Sequence, residues 1–350
     1  MGTLDLRSSV SAPDPRGKED AACARDGRGV AGPEEMEEVR RYIRVIADHS
    51  LAGTATGAVL ETVLGSCGKM IRPRLLLLCS GFGPRRERRV DRLLLLAAMV
   101  ELTHMASLVH DDIVDDARFR RGLPSVQGRF GKDAAVYAGD FLISRVNYWL
   151  AREGLSEASM LLSETIERMC RGEIGQASCR FQEDVTAEQY LDNTGGKTAS
   201  LFSAACTLGA RESGCDGETA ERLGRLGTNI GMMFQLRDDL LDYTSTAAAE
   251  GKETHRDFCD GIYTLPLIRA MSSPEGRKQL LPLLRRNLAS GLDSAGLHRL
   301  EELVERFGGI AAAQEAVHGY ARECFVLLDS LAENESRERI RTMIKKLDAT

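Results

Sequence analysis

The sequence predicts an all-α protein in which one large helical bundle follows an N-terminal tail. Apolar residues recur at steps of three and four over nearly the whole chain from Glu34 onward, which is the period of an α-helix. Strand signals are almost absent, because no β-branched run alternates with polar residues and no Asn-Gly or Asp-Gly turn joins two such runs. Short loops separate roughly ten predicted helices, which favours a single bundle.

Composition and charge narrow the class of protein. Of the 350 residues, 43% are hydrophobic and 28% are charged, so the chain can bury a sizeable core. The formal net charge of -6 gives no general basic field, and nucleic acid is not an expected partner. The nine cysteines are scattered without a C-x-x-C pair, which predicts reduced thiols in the cytoplasm and no zinc site.

Residues 1–33 are interpreted as a disordered tail and residues 34–350 as the helical domain. The first segment is rich in Gly, Pro, Ser, Asp and Arg, lacks periodicity and contains no apolar stretch typical of a signal peptide. The longest apolar runs, Leu75–Cys79 and Leu93–Val100, are much shorter than the ~20 residues that cross a bilayer. Both are therefore predicted to be buried helix segments.

Glycine, proline and charged residues mark the ends of the predicted helices. The second and third helices end at Gly65–Gly68 and Gly81–Arg89, and a loop with Gly122 and Pro124 follows the fourth. A polar loop at Gly251–Gly261 precedes a C-terminal helical region. In order, the helices are Glu35–Ala47, Thr54–Val63, Ile71–Cys79, Asp91–Asp115, Ala134–Glu153, Ser156–Gln176, Ala187–Leu191, Lys197–Leu208 and Thr219–Tyr243.

Two of the long helices carry the same acidic motif, D-D-x-x-D. Helical spacing puts Asp111 and Asp115 on one face, and it likewise puts Asp238 and Asp242 together, with Gln235 one turn earlier. Like charges four residues apart repel, so each cluster needs a counter-charge. Magnesium prefers carboxylate oxygens and bridges to substrate phosphates. The full motifs consist of Asp111, Asp112 and Asp115, and of Asp238, Asp239 and Asp242.

A solvated acidic helix face is the ordinary alternative for such a motif. Here, however, the aspartates interrupt the apolar stretches Leu102–Val109 and Ile230–Phe234. Charges are seldom embedded in apolar helices without partners. Two copies in this setting favour a magnesium–diphosphate complex held between two acidic helices.

Basic residues supply the complement for anionic substrates. Arg forks bind phosphate oxygens in pairs, whereas Lys acts as a point charge. Each residue alone is typical of solvated surface, but together with the acidic motifs they indicate a site for two anions. The set is Lys69, Arg72, Arg120, Arg121, Lys197 and Lys252. His104 lies seven residues before Asp111 on the same face, which favours ligand contact over a plain core position.

These motifs, in this order and spacing, resemble the polyprenyl synthetase family, the trans-isoprenyl diphosphate synthases. The resemblance runs from about Gly68 to Leu267. It is carried by the G-K-x-x-R-P element from Gly68, the first acidic motif with the following R-R-G, Gly139-Asp140-Phe141, Lys197-Thr198, and Phe234-Gln235 before the second motif.

The resemblance implies a helical bundle around a deep central cavity, with Mg²⁺ as cofactor and with an allylic diphosphate and isopentenyl diphosphate as substrates. Asp111 and Asp115, supported by Asp112, are implied to bind the metal from one wall, and Asp238, Asp239 and Asp242 from the other. Arg120, Lys197 and Lys252 are implied to hold the allylic diphosphate. Lys69, Arg72, His104 and Arg121 are implied to hold isopentenyl diphosphate, with Thr198 and Gln235 at the reacting centre.

Three positions depart from the pattern that the family usually shows. Cys67 stands where glycine is usual, and Glu253 and His255 replace a common Pro and Gly in the loop after the second motif. Ile262 stands where many members carry a Lys, which is expected to weaken one diphosphate contact. Neither acidic motif is affected.

Product length is expected to depend on the helix before the first motif. Short-chain members often place a bulky aromatic one to two turns before it, whereas this chain has Ala106 and Ser107. We therefore expect an open upper cavity and a product longer than farnesyl. Tyr148 and Trp149 are candidates for a deeper floor, or else ordinary core aromatics. A long apolar product also suggests transient membrane contact during release.

Several alternatives remain at the level of sequence. A terpene cyclase usually mixes Asn, Ser or Thr and Glu in its second motif, and a non-catalytic subunit typically loses aspartates; all six are present here. A helical scaffold leaves the motifs unexplained. A shorter-chain geranylgeranyl synthase and a catalytic subunit of a heteromer stay open, and the resemblance favours a homodimer.

Overall fold

A computed structural model describes residues 30–47, 51–65, 68–244 and 256–349. Residues 1–29 of the predicted tail, and Cys67, Lys252, Glu253 and His255, lie outside the described residues. At the beginning of the described chain, Ala31 is buried against the core and its N–H donates to the Glu35 carboxylate at 2.7 Å.

The described chain is almost entirely helical. The α-helices are α1 (Pro33–Ile46), α2 (Ala55–Gly65), α3 (Ile71–Ser80), α4 (Val90–Val114), α5 (Val126–Phe130), α6 (Lys132–Arg152), α7 (Ser156–Ser178), α8 (Ala187–Thr194), α9 (Ser200–Glu212), α10 (Gly217–Thr244), α11 (Arg256–Cys259), α12 (Leu265–Ala270), α13 (Pro274–Ser290), α14 (Ser294–Arg306), α15 (Gly309–Asp329) and α16 (Glu335–Asp348). A 3₁₀ turn at Arg86–Arg89 precedes α4. The predicted all-α bundle is confirmed.

The core forms around α4, α9 and α10. Both apolar runs that were predicted to be buried are buried: every residue of Leu75–Cys79 and of Leu93–Val100 is at most 5% exposed. Helix α10 packs on α9 and α15, and α4 packs on α6 and α1. The stretch 86–114 is long and apolar enough to cross a membrane, but 78% of its apolar window is buried inside the protein.

Close backbone approach fixes how α6 packs against α4. A Cβ at Gly139 would lie 2.3 Å from Nε2 of His110, so only glycine lets the histidine ring lie against α6. The same ring nitrogen is 3.4 Å from the Asp140 carboxylate. The Gly-Asp pair in the sequence therefore serves the contact between these two helices.

A short antiparallel hairpin occupies the place where the sequence predicted only a loop. Phe119–Arg120 pairs with Leu123–Pro124. The two central residues, Arg121 and Gly122, have φ of 53° and 78°. This is the left-handed geometry of a two-residue hairpin turn, for which Asn-Gly or Asp-Gly is the usual signal. The sequence did not predict this hairpin because Arg121, and not Asn or Asp, stands at the first position of the turn.

The region between α8 and α9 also differs from the prediction. The sequence predicted two separate helices, whereas a single π-helical turn at Gly195–Ala199 joins α8 to α9 without a break. Helix α7 packs directly against this turn. The approach is so close that a Cβ at Gly172 on α7 would lie 2.4 Å from the backbone nitrogen of Lys197. Such π turns are rare and are frequent at functional sites.

Candidate active site

The first acidic motif lies at the carboxyl end of α4. Asp111 and Asp112 are in its last turn, and Asp115 caps the helix, with its N–H donating to the Asp111 carbonyl at 2.9 Å. The carboxyl end of a helix carries a partial negative charge. The motif therefore concentrates negative potential at one point, where a cation is favoured.

Asp112 differs from its two neighbours, because it is buried and already paired. Its Oδ1 atom lies 2.8 Å from Arg120 Nε and 2.6 Å from Arg120 Nη2. The Gln127 amide donates to the Asp112 carbonyl and, at 3.0 Å, to the Ala117 carbonyl. These contacts tie the hairpin to α4 and hold the Arg120 guanidinium beside the motif.

The negative charges of Asp111 and Asp115 are less fully offset by nearby cations than that of Asp112. Burial raises the pKa of Asp111 to about 7, with Glu173 adding to the shift and Lys197 opposing it. The Asp115 carboxylate is 3.1 Å from Arg180, and Arg256 donates to the Asp115 carbonyl at 3.2 Å. The raised pKa means that the folded protein supplies too little positive charge for an ionised Asp111, as expected of a cation ligand.

The second motif is arranged differently along α10. Asp238 is exposed and Asp242 is partly buried, whereas Asp239 is only 3% exposed. Asp239 accepts hydrogen bonds from the Tyr190 hydroxyl and, at 2.8 Å, from the Gln235 amide. Burial raises the pKa of Asp239 to about 6, although both hydrogen bonds oppose the shift.

Asp257, on α11, adds another carboxyl group to this side. Burial raises its pKa to about 8, and Asp239, Asp242 and Asp238 raise it further, while Lys197 lowers it. Lys197 likewise acts on Asp111. The Lys197 ammonium therefore lies near Asp111 and near Asp257, the neighbour of the second motif, and the region around it is the candidate centre of the site.

The π turn presents Lys197 and Thr198 to that centre. Lys197 Nζ is 2.8 Å from Glu173 and 2.8 Å from Gln176, both on α7. Burial lowers the pKa of Lys197, but Glu173, Asp111 and Asp115 outweigh it, so the net shift is upward and the ammonium stays charged. The Thr198 hydroxyl donates to Gln235 Oε1 at 2.9 Å.

A second basic region borders a pocket of about 310 Å³ on the side of α4 that bears Asp112. Helices α2 and α4 and the hairpin form its walls, which include Glu101, His104, Arg120 and Arg121. The Arg121 guanidinium lies against Gly68, where a Cβ would be 2.5 Å from Nη1. Lys69 is exposed beside Gly68.

Arg72 reaches this region from α3. Its guanidinium stacks 4.3 Å from the centre of the Phe202 ring, and its buried Nε has no hydrogen-bond partner among the described residues. Burial lowers the pKa of Arg72 to about 10, and Glu101 partly offsets this. Burial also raises the pKa of Glu101, against the effects of Arg72 and Arg121. An anionic ligand at this position would supply the partner that the buried donor lacks.

The comparisons with known proteins agree with this geometry. The polyprenyl synthetase family model matches residues 54–295, which is more than half of the chain. The chain belongs to the polyprenyl synthetase family. This makes the protein an enzyme, a trans-prenyltransferase, as the acidic motifs and their cations indicated.

Named relatives and a solved structure match this prenyltransferase over nearly its whole length. The chain is 34% identical to heptaprenyl diphosphate synthase component 2 of Geobacillus stearothermophilus, over 88% of this chain and 92% of that one. It is 30% identical to nonaprenyl diphosphate synthase of Mycobacterium tuberculosis, over 90% of each. A polyprenyl synthase from Caulobacter crescentus, solved with calcium and isoprenyl diphosphate, superposes with a TM-score of 0.81 at 28% identity, over 91% of this chain and 95% of that one.

The carboxylates of the prenyltransferase fit a divalent metal that is bound together with its substrate. Within the described ranges, no three His, Cys, Asp or Glu side chains stand close enough to hold a metal ion by themselves. Magnesium commonly uses one or two carboxylates, several waters and the phosphates of the substrate. Asp111, Asp115, Asp238 and Asp242 offer such oxygens, and a bound cation would counter the burial that raises the pKa of Asp111.

Several residues at the site were missed by sequence reasoning. Asp257 lies in the polar loop after the second motif, where one acidic residue gives little signal. Arg180, which follows α7, pairs with Asp115, and Tyr190 on α8 donates to Asp239. Glu173 on α7 pairs with Lys197, and only the packing of these helices brings the three residues to the site. Ile262, the departure from the usual Lys, is partly buried, and its N–H donates to the Asp257 carbonyl at 2.8 Å.

The predicted chain-length residues lie on two faces of α4. Ala106 is fully buried, and Ser107 is partly buried on the face of Asp111, with its hydroxyl donating to the His104 carbonyl at 2.9 Å. Neither lines the described pocket. Tyr148 is 53% exposed on the outer face of α6, away from the interior, whereas Trp149 is buried under Arg152.

Proposed function

We propose that this prenyltransferase condenses isopentenyl diphosphate with an allylic diphosphate, head to tail, and that its product is a long-chain polyprenyl diphosphate. One observation carries the proposal: Lys197 acts on Asp111 of the first motif and on Asp257, which all three aspartates of the second motif also affect, and an arginine-lined pocket borders the Asp112 side of α4. The first region suits a diphosphate with Mg²⁺, and the second suits another diphosphate without metal.

Bound Mg²⁺ would supply positive charge that stabilises the departing diphosphate and so favours ionisation of the allylic C–O bond. Asp111, Asp115, Asp238 and Asp242 would hold the metal between the two helices. Lys197 and Arg120 would bind the diphosphate oxygens directly, and Lys252 is proposed for the same role from the sequence. These cations act where negative charge develops, which is the most effective place for them.

The second substrate would lie in the arginine-lined pocket. Arg72, Arg121 and Lys69 supply the positive charge for its diphosphate, and neutral His104 can donate one hydrogen bond to it. The double bond is thereby held beside the allylic carbon, which lowers the entropic barrier to attack. Thr198 and Gln235 direct polar groups toward the cation, and the departing diphosphate accepts the proton that is lost.

The relatives and the helix before the first motif both support a long product. The two relatives named above are a heptaprenyl and a nonaprenyl diphosphate synthase. Ser107 is small and lies on the face of Asp111, where it leaves room for the growing chain, whereas Ala106 is buried in the core. We place the enzyme in the cytoplasm, with transient membrane contact when the apolar product leaves.

Two assemblies follow from different observations. Helix α6 exposes Tyr137, Tyr148 and Val136, an apolar surface that favours a homodimer. The relative from Geobacillus stearothermophilus is named as component 2 of its synthase, which favours a heteromer with a second, different subunit. We propose the homodimer as the working assembly, and the heteromer is the second candidate.

Product analysis tests the proposed activity. The purified protein is incubated with Mg²⁺, isopentenyl diphosphate and farnesyl diphosphate, and the products are sized by chromatography. We expect a long polyprenyl diphosphate, and we expect its loss in Asp111→Asn and a lower yield in Asp238→Asn at the same Mg²⁺ concentration. No product with any allylic primer would contradict the proposal for the isolated chain. Activity that returns only with a second subunit would favour the heteromer.

A bulky residue at Ser107 tests the path of the growing chain. We expect Ser107→Phe to give products no longer than geranylgeranyl, because the ring would block growth one turn before Asp111. Ala106→Phe is a poorer test, because a large side chain in a filled core destabilises by roughly 1–3 kcal/mol. An unchanged product length in Ser107→Phe would place the growing chain elsewhere.

A further inference from the structure

The second acidic motif is divided between an open part and a buried part. Asp238 is exposed and Asp242 is partly buried, whereas Asp239 is buried within hydrogen-bond reach of two other side chains. Its Oδ2 atom accepts from the Tyr190 hydroxyl, and its Oδ1 atom accepts from Gln235 Nε2 at 2.8 Å. Each carboxylate oxygen of Asp239 thus has a protein partner already.

The hydrogen bonds continue from Asp239 toward the reacting centre. The amide nitrogen of Gln235 donates to Asp239, so its carbonyl oxygen faces the other way and accepts from the Thr198 hydroxyl at 2.9 Å. An ionised carboxylate only accepts, which fixes the orientation of the amide. The Thr198 hydrogen is then directed at Gln235, and the lone pairs of the hydroxyl oxygen remain for positive charge.

We propose that Asp239 is a positioning residue, not a metal ligand, and that Tyr190 is its partner: together they orient Gln235 and Thr198 at the reacting centre. This inference rests on the proposed function and revises the metal-binding role that the sequence suggested for Asp239. Tyr190, Thr198 and Gln235 belong to α8, the π turn and α10. The network therefore joins three separately folded segments, which local sequence cannot arrange.

The burial of Asp239 also supports its assignment as a positioning residue. A buried polar network is favourable only when every member has its partners, and each partly satisfied member is costly. A metal on Asp239 would have to reach a carboxylate that is 3% exposed and whose two oxygens already accept hydrogen bonds, one of them from the buried Tyr190 hydroxyl. Asp238 is exposed and can reach a metal without such a loss.

Tyr190→Phe tests the proposal, because it removes one hydroxyl and keeps the ring. We expect kcat to fall about tenfold to a hundredfold, since misplacing reacting groups by ~1 Å has effects of this size. We expect the KM for isopentenyl diphosphate and the Mg²⁺ concentration for half-maximal activity to stay at the wild-type values. Asp238→Asn should instead raise the Mg²⁺ requirement. Tyr42→Phe, on α1, is the matched control and should leave both unchanged.

A double-mutant cycle adds a test that remains valid if one variant is unstable. If Tyr190 acts through Gln235, then Tyr190→Phe with Gln235→Ala should lose no more activity than the worse single variant. Multiplied losses would overturn the relay. A Mg²⁺ requirement raised in Asp239→Asn as much as in Asp238→Asn would overturn the assignment of Asp239.

Metal binding gives a readout that does not depend on turnover. Mg²⁺ with inorganic diphosphate should raise the melting temperature of Tyr190→Phe by as much as that of the wild type. A smaller shift would mean that the pair serves metal binding. A wild-type protein without any prenyltransferase activity would contradict the proposed function instead, and the thermal shifts would still decide the role of Asp239.

Discussion

His104 lies among three arginines, and its surroundings decide its chemistry. Burial lowers its pKa far below the usual value, and Arg72, Arg121 and Arg120 lower it further. The imidazole is therefore neutral at pH 7 and able both to donate and to accept a hydrogen bond. The sequence pointed to His104 through its register with Asp111, but only the packed arginines determine its protonation state.

A pH dependence of stability follows from this lowered pKa. In the unfolded chain His104 takes up a proton near pH 6.5, whereas in the folded protein it stays neutral to lower pH. At this site the unfolded state then binds more protons, so His104 lowers the free energy of unfolding as the pH drops below about 6.5, while the raised pKa values of Asp111 and Asp257 act in the opposite direction. We expect His104→Asn to flatten this dependence, measured by urea denaturation at several pH values. An identical slope in both proteins would contradict it.

Binding of inorganic diphosphate should raise the lowered pKa of His104. An anion in the pocket offsets the three guanidinium charges, so the imidazole pKa should rise when inorganic diphosphate binds. The chain has six histidines, and NMR titration can follow each ring once His104 is assigned through His104→Asn. His298 is exposed on α14 and serves as the internal control.

At the scale of elements, the π turn is the feature that the site depends on most. It places Lys197 and Thr198 toward the centre, and it exists in close contact with α7. Gly172 on α7 is the contact point, because a Cβ there would lie 2.4 Å from the Lys197 nitrogen and 2.6 Å from the Asn193 carbonyl. Both atoms belong to backbone, which cannot swing away as a side chain can.

Gly172→Ala should therefore separate α7 from the π turn. We expect a loss of stability of roughly 1–3 kcal/mol, typical of overpacking, together with a large fall in kcat as Lys197 moves. Thermal unfolding and steady-state kinetics measure the two effects. Gly195→Ala is the matched control, because a Cβ at Gly195 would meet nothing within 4 Å and alanine favours a helix. A Gly172→Ala protein as stable as Gly195→Ala would refute the close contact.

At the scale of the whole molecule, the outer face of α6 is an exposed aromatic surface. Tyr137 is 73% exposed and Tyr148 is 53% exposed, and their spacing of eleven residues places them on one helix face. Aromatic residues on an exposed helix face are typical of an interface between subunits. Symmetric association of this face with a second copy would bury both rings.

We expect the enzyme to be a homodimer through α6. Tyr137→Glu with Tyr148→Glu should yield a monomer, because charges that enter an apolar interface are unpaired. Light scattering coupled to gel filtration measures the mass. Val326→Glu on α15, at a site 71% exposed, is the control and should leave the mass unchanged. A monomeric wild type that associates only with another subunit would favour the heteromer.

The sequence by itself determined the helical class, the long central helices and the acidic motifs. Helical periodicity is local, and Asp111 and Asp115 are neighbours in any helix, as are Asp238 and Asp242. The sequence could not tell the exposed Asp238 from the buried Asp239, since that difference comes from Tyr190 on another helix.

Only the tertiary structure decided how these parts meet. The contact of α7 with the π turn, the contact of Arg180 with Asp115 and the contact of Tyr190 with Asp239 join segments that are far apart in the chain. Each is set by packing or by charge across helices, and nothing in the neighbouring residues encodes it. The acidic residues proposed as ligands are thus recognisable from the local sequence, whereas their protonation, partners and accessibility come from the fold.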